Sequence, residues 1–438
     1  YDGKFIAFPY LFHYFLAFFS MFFNTLLVLK IIPEILISLL VIVVYLITKE
    51  ITKDENAALI SSLISAFIPL LMRETLNKAS TLSLMLPLMF YALYCFMKIN
   101  EGSQYVFQFV LISIILPFID PTSMILLFSL LIYSIILYSE SIELGNLRKE
   151  AIFLASFVII IGNFIVLKNI FYKYGLEVFK LSIPNSVYVT LYRDVSLLAL
   201  IYFLGIVTML FGFIGVYYSL FKIRRRSIFL ISSLMLTILL ILIAKFIDFS
   251  TGLVFLGISL SILSGLFIYN FFNYLKLTKF NNFKNAIYSF IIIFIIILSI
   301  IPSYQMAQQS IKDSVNNREI EAFTFMNTNI PDDSIILTNF KEGNIMSAIA
   351  KRRNFMDTYL LLSDDVNERL RVTNLIYTTS FLGILVDQSK KNNIGYIYLS
   401  KRTEIEYNLD GLTSYVETPC FGKIFENDEA KIYQIKCA

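Results

Sequence analysis

From about residue 33 to residue 302 one pattern repeats: an apolar run, then a short polar connection. Ten runs, at about 33–48, 57–72, 82–98, 105–119, 121–138, 151–168, 195–220, 227–244, 251–273 and 285–302, have or approach the length that crosses about 30 Å of hydrocarbon as a helix. An eleventh apolar stretch, 5–23, is interrupted by Pro9 and carries His13, the chain's single histidine, among Tyr10 and Tyr14. Those side chains suit a segment lying at a membrane interface as well as they suit a span, and composition leaves the choice open.

Beyond residue 302 the long runs stop and shorter periods take over. "DDSIILTNF" reads as a strand leaving a turn, and "NIGYIYLS" as a second strand after a helical stretch. That stretch, "DDVNERLRVTNLIYTTSFLGILVDQSKK", has Asp364 and Asp365 as N-cap candidates, helical spacing throughout and a basic end. "FGKIFENDEAKIYQIK" alternates on both sides of Asn427-Asp428, which signals a hairpin. The expected organisation is a polytopic helical bundle over 1–302, mostly α, followed by a small α/β domain over 303–438, which is long enough to fold alone.

Composition agrees with a bilayer environment: 57% of the 438 residues are hydrophobic and the mean hydropathy is +0.73, beyond what one soluble core uses. The net charge of +4 conceals a division, because 303–438 holds 15 basic and 18 acidic residues. The basic excess therefore lies in the membrane part, where it reports topology and not nucleic-acid binding. Lys222, Arg224, Arg225 and Arg226 form the densest cluster. Calling that face cytoplasmic puts Lys49, Lys53, Lys98, Arg148, Lys149, Lys276, Lys279 and Lys284 on it too, and only Arg73, Lys78 and Lys245 on the other. The domain over 303–438 is then extracytoplasmic. Three cysteines make no disulfide framework; Cys420 and Cys437 flank the hairpin and are expected to be free thiols, with pairing open to them in an oxidising compartment.

Signatures of soluble enzymes are missing: there is no phosphate-cradling glycine loop, no CxxC and no HExxH. Ionisable residues inside the runs are too sparse for an ion or proton path. Charged groups gather instead at the edges of the outer loops: Glu34, Arg73, Glu74, Lys78, Asp120, Arg193, Asp194 and Asp248. Glu74 and Asp120 are the candidate catalytic carboxylates, and His13, Arg73 and Arg193 the candidate substrate-binding groups. Each has a structural alternative. Asp120 precedes Pro121-Thr122 and can cap the next helix, Arg73-Glu74 can be a solvated loop pair, and Arg193-Asp194 can anchor the span from 195.

The stretch "YDGKFIAFPYLFHYFLAFF", opening a series of short-looped spans that ends in an outer α/β domain, resembles the C-type (GT-C) glycosyltransferases that use lipid-phosphate sugar donors. Among them the chain is most similar to relatives of the archaeal oligosaccharyltransferase catalytic subunit. "LTNFKEGNIMSAIAKRRNFMD" resembles a segment of that family's outer domain, with Thr338, Gly343, Ala350, Arg352 or Arg353, and Asp357 at similar places. The resemblance implies that 5–23 lies at the outer interface, that a first helix and an acidic first loop precede this chain, and that a divalent cation (Mg or Mn) assists transfer. In "MRETLNKAS" Arg73 matches a basic position, whereas the paired acids of the family's second motif are reduced to Glu74. The family's acceptor-reading tryptophans have no counterpart, since the chain has no Trp.

The expected function is therefore transfer of a sugar from a polyprenyl- or dolichyl-phosphate donor to an acceptor, whether protein, lipid or glycan, on the outer face of the membrane. The competing expectation is a non-enzymatic multi-pass protein, such as a transporter, flippase or structural subunit, with a binding ectodomain.

Overall fold

The computed structural model describes residues 9–174, 196–312, 314–357, 365–409 and 419–437. They fall into two compact units, a helical one built from Ala7–Lys173 and Tyr188–Asp313, and one built on Ser314–Ala438.

The helical unit contains α1 (Leu11–Ser20), α2 (Thr25–Thr52), α3 (Glu55–Ala66), α4 (Pro69–Thr75), α5 (Leu82–Met97), α6 (Ser103–Ile119) and α7 (Met124–Ser139). It continues with α8 (Asn146–Tyr174), α9 (Leu197–Leu204), α10 (Ile206–Phe221), α11 (Arg226–Ile243), α12 (Phe249–Lys276) and α13 (Lys284–Lys312). Six of the described helical segments are long and apolar enough to cross a membrane, or eight if each of two bent pairs is one span. α1 has ten residues, about 15 Å of helix, or half the hydrocarbon thickness.

Two of the expected continuous spans are broken, and in both cases the backbone explains it. The run at 57–72 divides into α3 and α4 with a bend of 53°. Pro69 opens α4 without an N–H to donate, and Ile68 before it is extended. The run at 195–220 divides into α9 and α10 with a bend of 96°, at Gly205, whose φ of 85° is open to glycine at little cost. The two breaks meet: a Cβ on Gly205 would lie 3.4 Å from the ring of Pro69. Gly257 of α12 faces the same place, against Leu204 and Ile68.

α12 is the central post, buried along most of its length. Small residues let its neighbours approach, as expected where helices associate in lipid by close packing and not by hydrophobic exclusion. Gly212 and Gly215 of α10 lie directly on Leu260 and on the Leu263 carbonyl, and Gly265 of α12 lies on Thr48 of α2. Polar seams reinforce these contacts. Ser61 Oγ donates to the Ser261 carbonyl at 2.5 Å and sits 3.0 Å from Thr48 Oγ1, joining α2, α3 and α12. Asn163 Nδ2 of α8 donates to Ser123 Oγ at 2.9 Å.

The second unit is a five-stranded mixed sheet of order β2-β1-β3-β5-β4. Its strands are β1 (Ile335–Leu337), β2 (Arg353–Asn354), β3 (Ile394–Ser400), β4 (Phe421–Glu426) and β5 (Ala430–Ile435). β1 runs parallel to β2 and β3, while β5 is antiparallel to β3 and β4, so both expected strands and the hairpin are present. α14 (Asn317–Asn329) and α15 (Gly343–Ala350) cover the sheet through Phe323, Met326 and Met346. α14 opens on a capping box between Asn316 and Glu319. Glu319 also holds Arg402 of α18 (Lys401–Glu406) at 2.6 Å.

Two expectations need correction here. The single helix expected between the strands is two, α16 (Val366–Thr378) and α17 (Leu382–Lys391), because the chain is extended at Thr379 and Phe381. Asp365 stands at the N-cap position without a side-chain cap bond and pairs instead with Arg369 at 2.9 Å; Asp364 lies outside the described residues. Cys420 and Cys437, expected free, form a disulfide. The antiparallel pairing of β4 with β5 brings the two ends of the hairpin together, which sequence separation alone does not reveal.

A Cβ added at Gly215 would fall 2.0 Å from the Leu263 carbonyl oxygen, so Gly215→Ala has to push α10 from α12. The expected loss is about 1–3 kcal/mol, read as a lower unfolding temperature of the purified protein in detergent, whereas alanine at Gly145, which faces open space, has no comparable effect.

Candidate functional site

The polar contacts of the helical unit sort into two ends. At one, Lys98 Nζ lies 2.8 Å from Glu101 and 3.5 Å from Glu50, Lys49 pairs with Glu55 at 2.6 Å, and Arg224 with Glu140 at 3.5 Å. At the other, the Asn77 N–H donates to Glu34 Oε1 at 2.8 Å, and Thr81 Oγ1 donates to Asp120 Oδ2 at 2.7 Å. Ser310 Oγ of α13 donates there to the carbonyls of Arg73 and Leu76 at 3.2 and 3.1 Å. Glu34 and Glu50 stand about 24 Å apart along α2. α5 connects the same two ends in 16 residues, as does α6 in 17, so these shorter helices traverse the bundle as well.

The second end gathers most of the candidate residues. α4 is the reason: redirected at Pro69, it carries Arg73 and Glu74 across that end, packed among α2, α5, α9, α12 and α13. Glu74 Oε2 lies 3.5 Å from Lys78 Nζ, an i,i+4 pair with little energetic weight at this exposure. The Arg73 side chain forms no ion pair among the described residues. It is half-buried, and only its main-chain carbonyl is engaged, by Ser310.

Asp120 is more committed. Its Oδ1 accepts from the Thr122 N–H at 2.9 Å and its Oδ2 from Thr81, so it caps the 3-10 turn Pro121–Ser123 and ties the start of α7 to the start of α5. His13 lies on the exposed side of α1, its ring edge-on to Phe12 at 5.8 Å. Phe12 and Leu16 are the buried anchors of that helix. Arg193 and Asp194 lie outside the described residues. The structure thus brings Glu34, Arg73, Glu74, Lys78 and Asp120 to one end. Glu34 gains its role from the Asn77 amide, a contact across 43 positions that no local pattern signals.

Among the described residues there is no group of three or more His, Cys, Asp or Glu able to hold a metal ion. Glu74 and Asp120, one turned to Lys78 and the other to hydroxyl and amide donors, do not fit a divalent-cation site.

In the second unit the segment singled out in the sequence is structural in its contacts. Arg352 is buried and donates to the carbonyls of Ile330 and Asn327 at 2.7 Å each, while pairing with Asp332 at 2.7 Å. Arg353 is exposed and meets Asp333 at 3.1 Å. Gly343 is pressed against the Met356 carbonyl, where a Cβ would come within 2.1 Å, and Asn354 Nδ2 donates to Asp357 Oδ2 at 3.3 Å. Thr338, just after β1, is fully buried, its hydroxyl without a partner among the described residues.

Asp120→Ala removes a cap and the Thr81 bond together; a loss of about 0.5–2 kcal/mol is expected, measured by thermal unfolding. Arg73→Ala, which leaves the main-chain contact to Ser310 in place, is expected to unfold at the same temperature as the unmodified protein.

No family model matches the sequence, and no curated protein matches it by sequence. Solved structures do match its fold. The oligosaccharyltransferase AglB of Archaeoglobus fulgidus, in complex with an inhibitory peptide and a dolichol-phosphate, superimposes with a TM-score of 0.66 at 14% identity, covering 92% of this chain and 62% of that one. The same organism's oligosaccharyltransferase in complex with Zn and sulfate gives 0.64 at 14% identity, covering 92% and 60%. The form tethered to an acceptor peptide with the NVT sequon gives 0.65 at 14% identity, covering 92% and 62%. The chain spans about three fifths of the length of the proteins it matches. What the helical unit and the small sheet unit share with them is the fold: this chain has the architecture of the archaeal oligosaccharyltransferase.

Proposed function

We propose that this protein is a multi-pass membrane glycosyltransferase that moves a sugar from a dolichyl- or polyprenyl-phosphate to an acceptor outside the cytoplasm. The observation that carries this reading is the match over 92% of the chain to a protein solved with a dolichol-phosphate and to one solved with an acceptor peptide. A lipid-phosphate donor keeps its tail in the bilayer and its sugar at the surface, so its phosphate has to be met at one end of the helices. Arg73 is suited to that phosphate: a half-buried guanidinium with no carboxylate partner among the described residues supplies charge-assisted donors to the leaving oxyanion. Glu74 beside it is suited to accept the proton of the acceptor hydroxyl or amide. Asp120 holds the start of α7 in place, and His13 and Arg193 are offered as further donor contacts. The lysine and arginine distribution supports placing the domain over 303–438 outside the cytoplasm. The Cys420–Cys437 disulfide supports that assignment, since such bonds persist in oxidising compartments.

A second reading keeps the lipid-phosphate site without chemistry. What favours it is the lack, among the described residues, of an acidic cluster fit for a metal. A binding protein of this architecture would capture the lipid donor and release it unchanged.

Membranes containing the chain, supplied with dolichyl- or undecaprenyl-phosphate sugars labelled in the sugar, are expected to transfer label to a protein, lipid or glycan acceptor. Arg73→Ala is expected to lower transfer roughly tenfold to hundredfold, the equivalent of one charged hydrogen bond worth about 1.5–3 kcal/mol, with the unfolding temperature unchanged. Lipid-phosphate binding without transfer would leave the second reading standing and the first refuted. In intact cells, Cys420 and Cys437 are expected to resist maleimide labelling until reduced. Reduction should cost the second unit about 3 kcal/mol for a loop closed over 17 residues.

A further inference from the structure

The end of the helical unit opposite Arg73 contains a cavity of about 350 Å³, between α2, α5, α7, α8 and α11. Arg148, Arg225 and Arg226 line it, together with Ser227, Glu50 and Glu101. The two acids are already answered: Glu50 by Lys53 and Lys98, Glu101 by Lys98. The three arginines are not. None has a carboxylate partner among the described residues.

Arg148 is the telling member. The residue is only 8% exposed, yet it makes one long contact, Nη2 to the Met97 carbonyl at 3.4 Å, while Nε and Nη1 have no partner among the described residues. A buried guanidinium left with unpaired donors is costly and persists only when something answers it. Arg225 likewise makes a single long contact, 3.4 Å to the Ile51 carbonyl. α11 begins directly after Arg225, at Arg226, with no side-chain cap on its first turn. Its amide end therefore adds further donors and the positive pole of its dipole.

We propose that this cavity is an anion site that takes a phosphate group, either the headgroup of an anionic phospholipid or the free ion. Guanidinium forks with a helix N-terminus match the tetrahedral oxyanion in both charge and donor geometry. The volume accommodates a phosphate with the glycerol of a headgroup. Bound there, the anion joins five helices at the end of the bundle where Lys49, Lys53, Lys98 and Arg224 also gather, the kind of basic surface to which anionic lipid is drawn. The site is separate from the proposed donor site, which lies at the other end of α2.

The test uses the full chain, delipidated in neutral detergent and titrated with inorganic phosphate at constant ionic strength, and the same chain in phosphatidylcholine nanodiscs with and without phosphatidylglycerol. A saturable rise in unfolding temperature of several degrees is expected when the anion exceeds its dissociation constant about a hundredfold. A rise in the phosphate arm identifies the free ion, and a rise in the phosphatidylglycerol arm identifies the headgroup. Arg148→Met is expected to abolish the rise while leaving the ligand-free unfolding temperature unchanged or higher, since it removes a buried charge with unpaired donors. Arg226→Gln, an exposed position that keeps the fold, should raise the apparent dissociation constant at least about tenfold, roughly the share of one charged contact. No rise in either arm, or a rise of the same size in both variants, overturns the proposal.

Discussion

In hydrocarbon a main-chain carbonyl or amide that leaves its helix has no water to turn to, and the fold of the helical unit follows from how that constraint is met. Proline at 69 takes one donor out of the ladder and turns the chain by 53°. The Phe67 carbonyl freed at the turn accepts from Ser303 Oγ of α13 at 2.7 Å. Two turns further along, Ser310 of the same helix answers the carbonyls of Arg73 and Leu76. α13 thus supplies in two hydroxyls what the broken span lacks, and α4 can lie across the end of the bundle. The placement of Arg73 and Glu74 depends on that exchange more than on any interaction of their own side chains.

The long-range order of the chain was legible because it rests on period. Runs of apolar residues at 33–48 or 251–273, and alternation around Asn427-Asp428, are local statistics that survive without tertiary knowledge. The breaks were not legible for a related reason. Pro33, Pro87, Pro117 and Pro302 all lie inside helices that continue through them, whereas at Pro69 the span breaks. At the break the Phe67 carbonyl is met by Ser303, 236 positions away. Gly205 likewise looks like any glycine of an apolar run until its φ is seen.

The site divides in the same way. The charged edges of the outer loops stood out in the sequence, because charge is rare beside so much apolar surface. Which of them are engaged did not. Asp120 is held by Thr81 across 39 positions, and Cys420 meets Cys437 only because β4 and β5 pair. Arg148 counted in the sequence as one more basic loop residue, whereas the structure buries it. Its distinction lies in what does not contact it, which no linear pattern encodes.

The meeting of Pro69 with Gly205 links two departures from straightness that the sequence places far apart. Gly205 lies beside the ring of Pro69, and Leu204 and Ile68 both face Gly257, where an added methyl group would crowd the two bends at once. The two elbows thus share one seat on the bare backbone of α12, and filling it would crowd α9 and the short helix that carries Arg73 together.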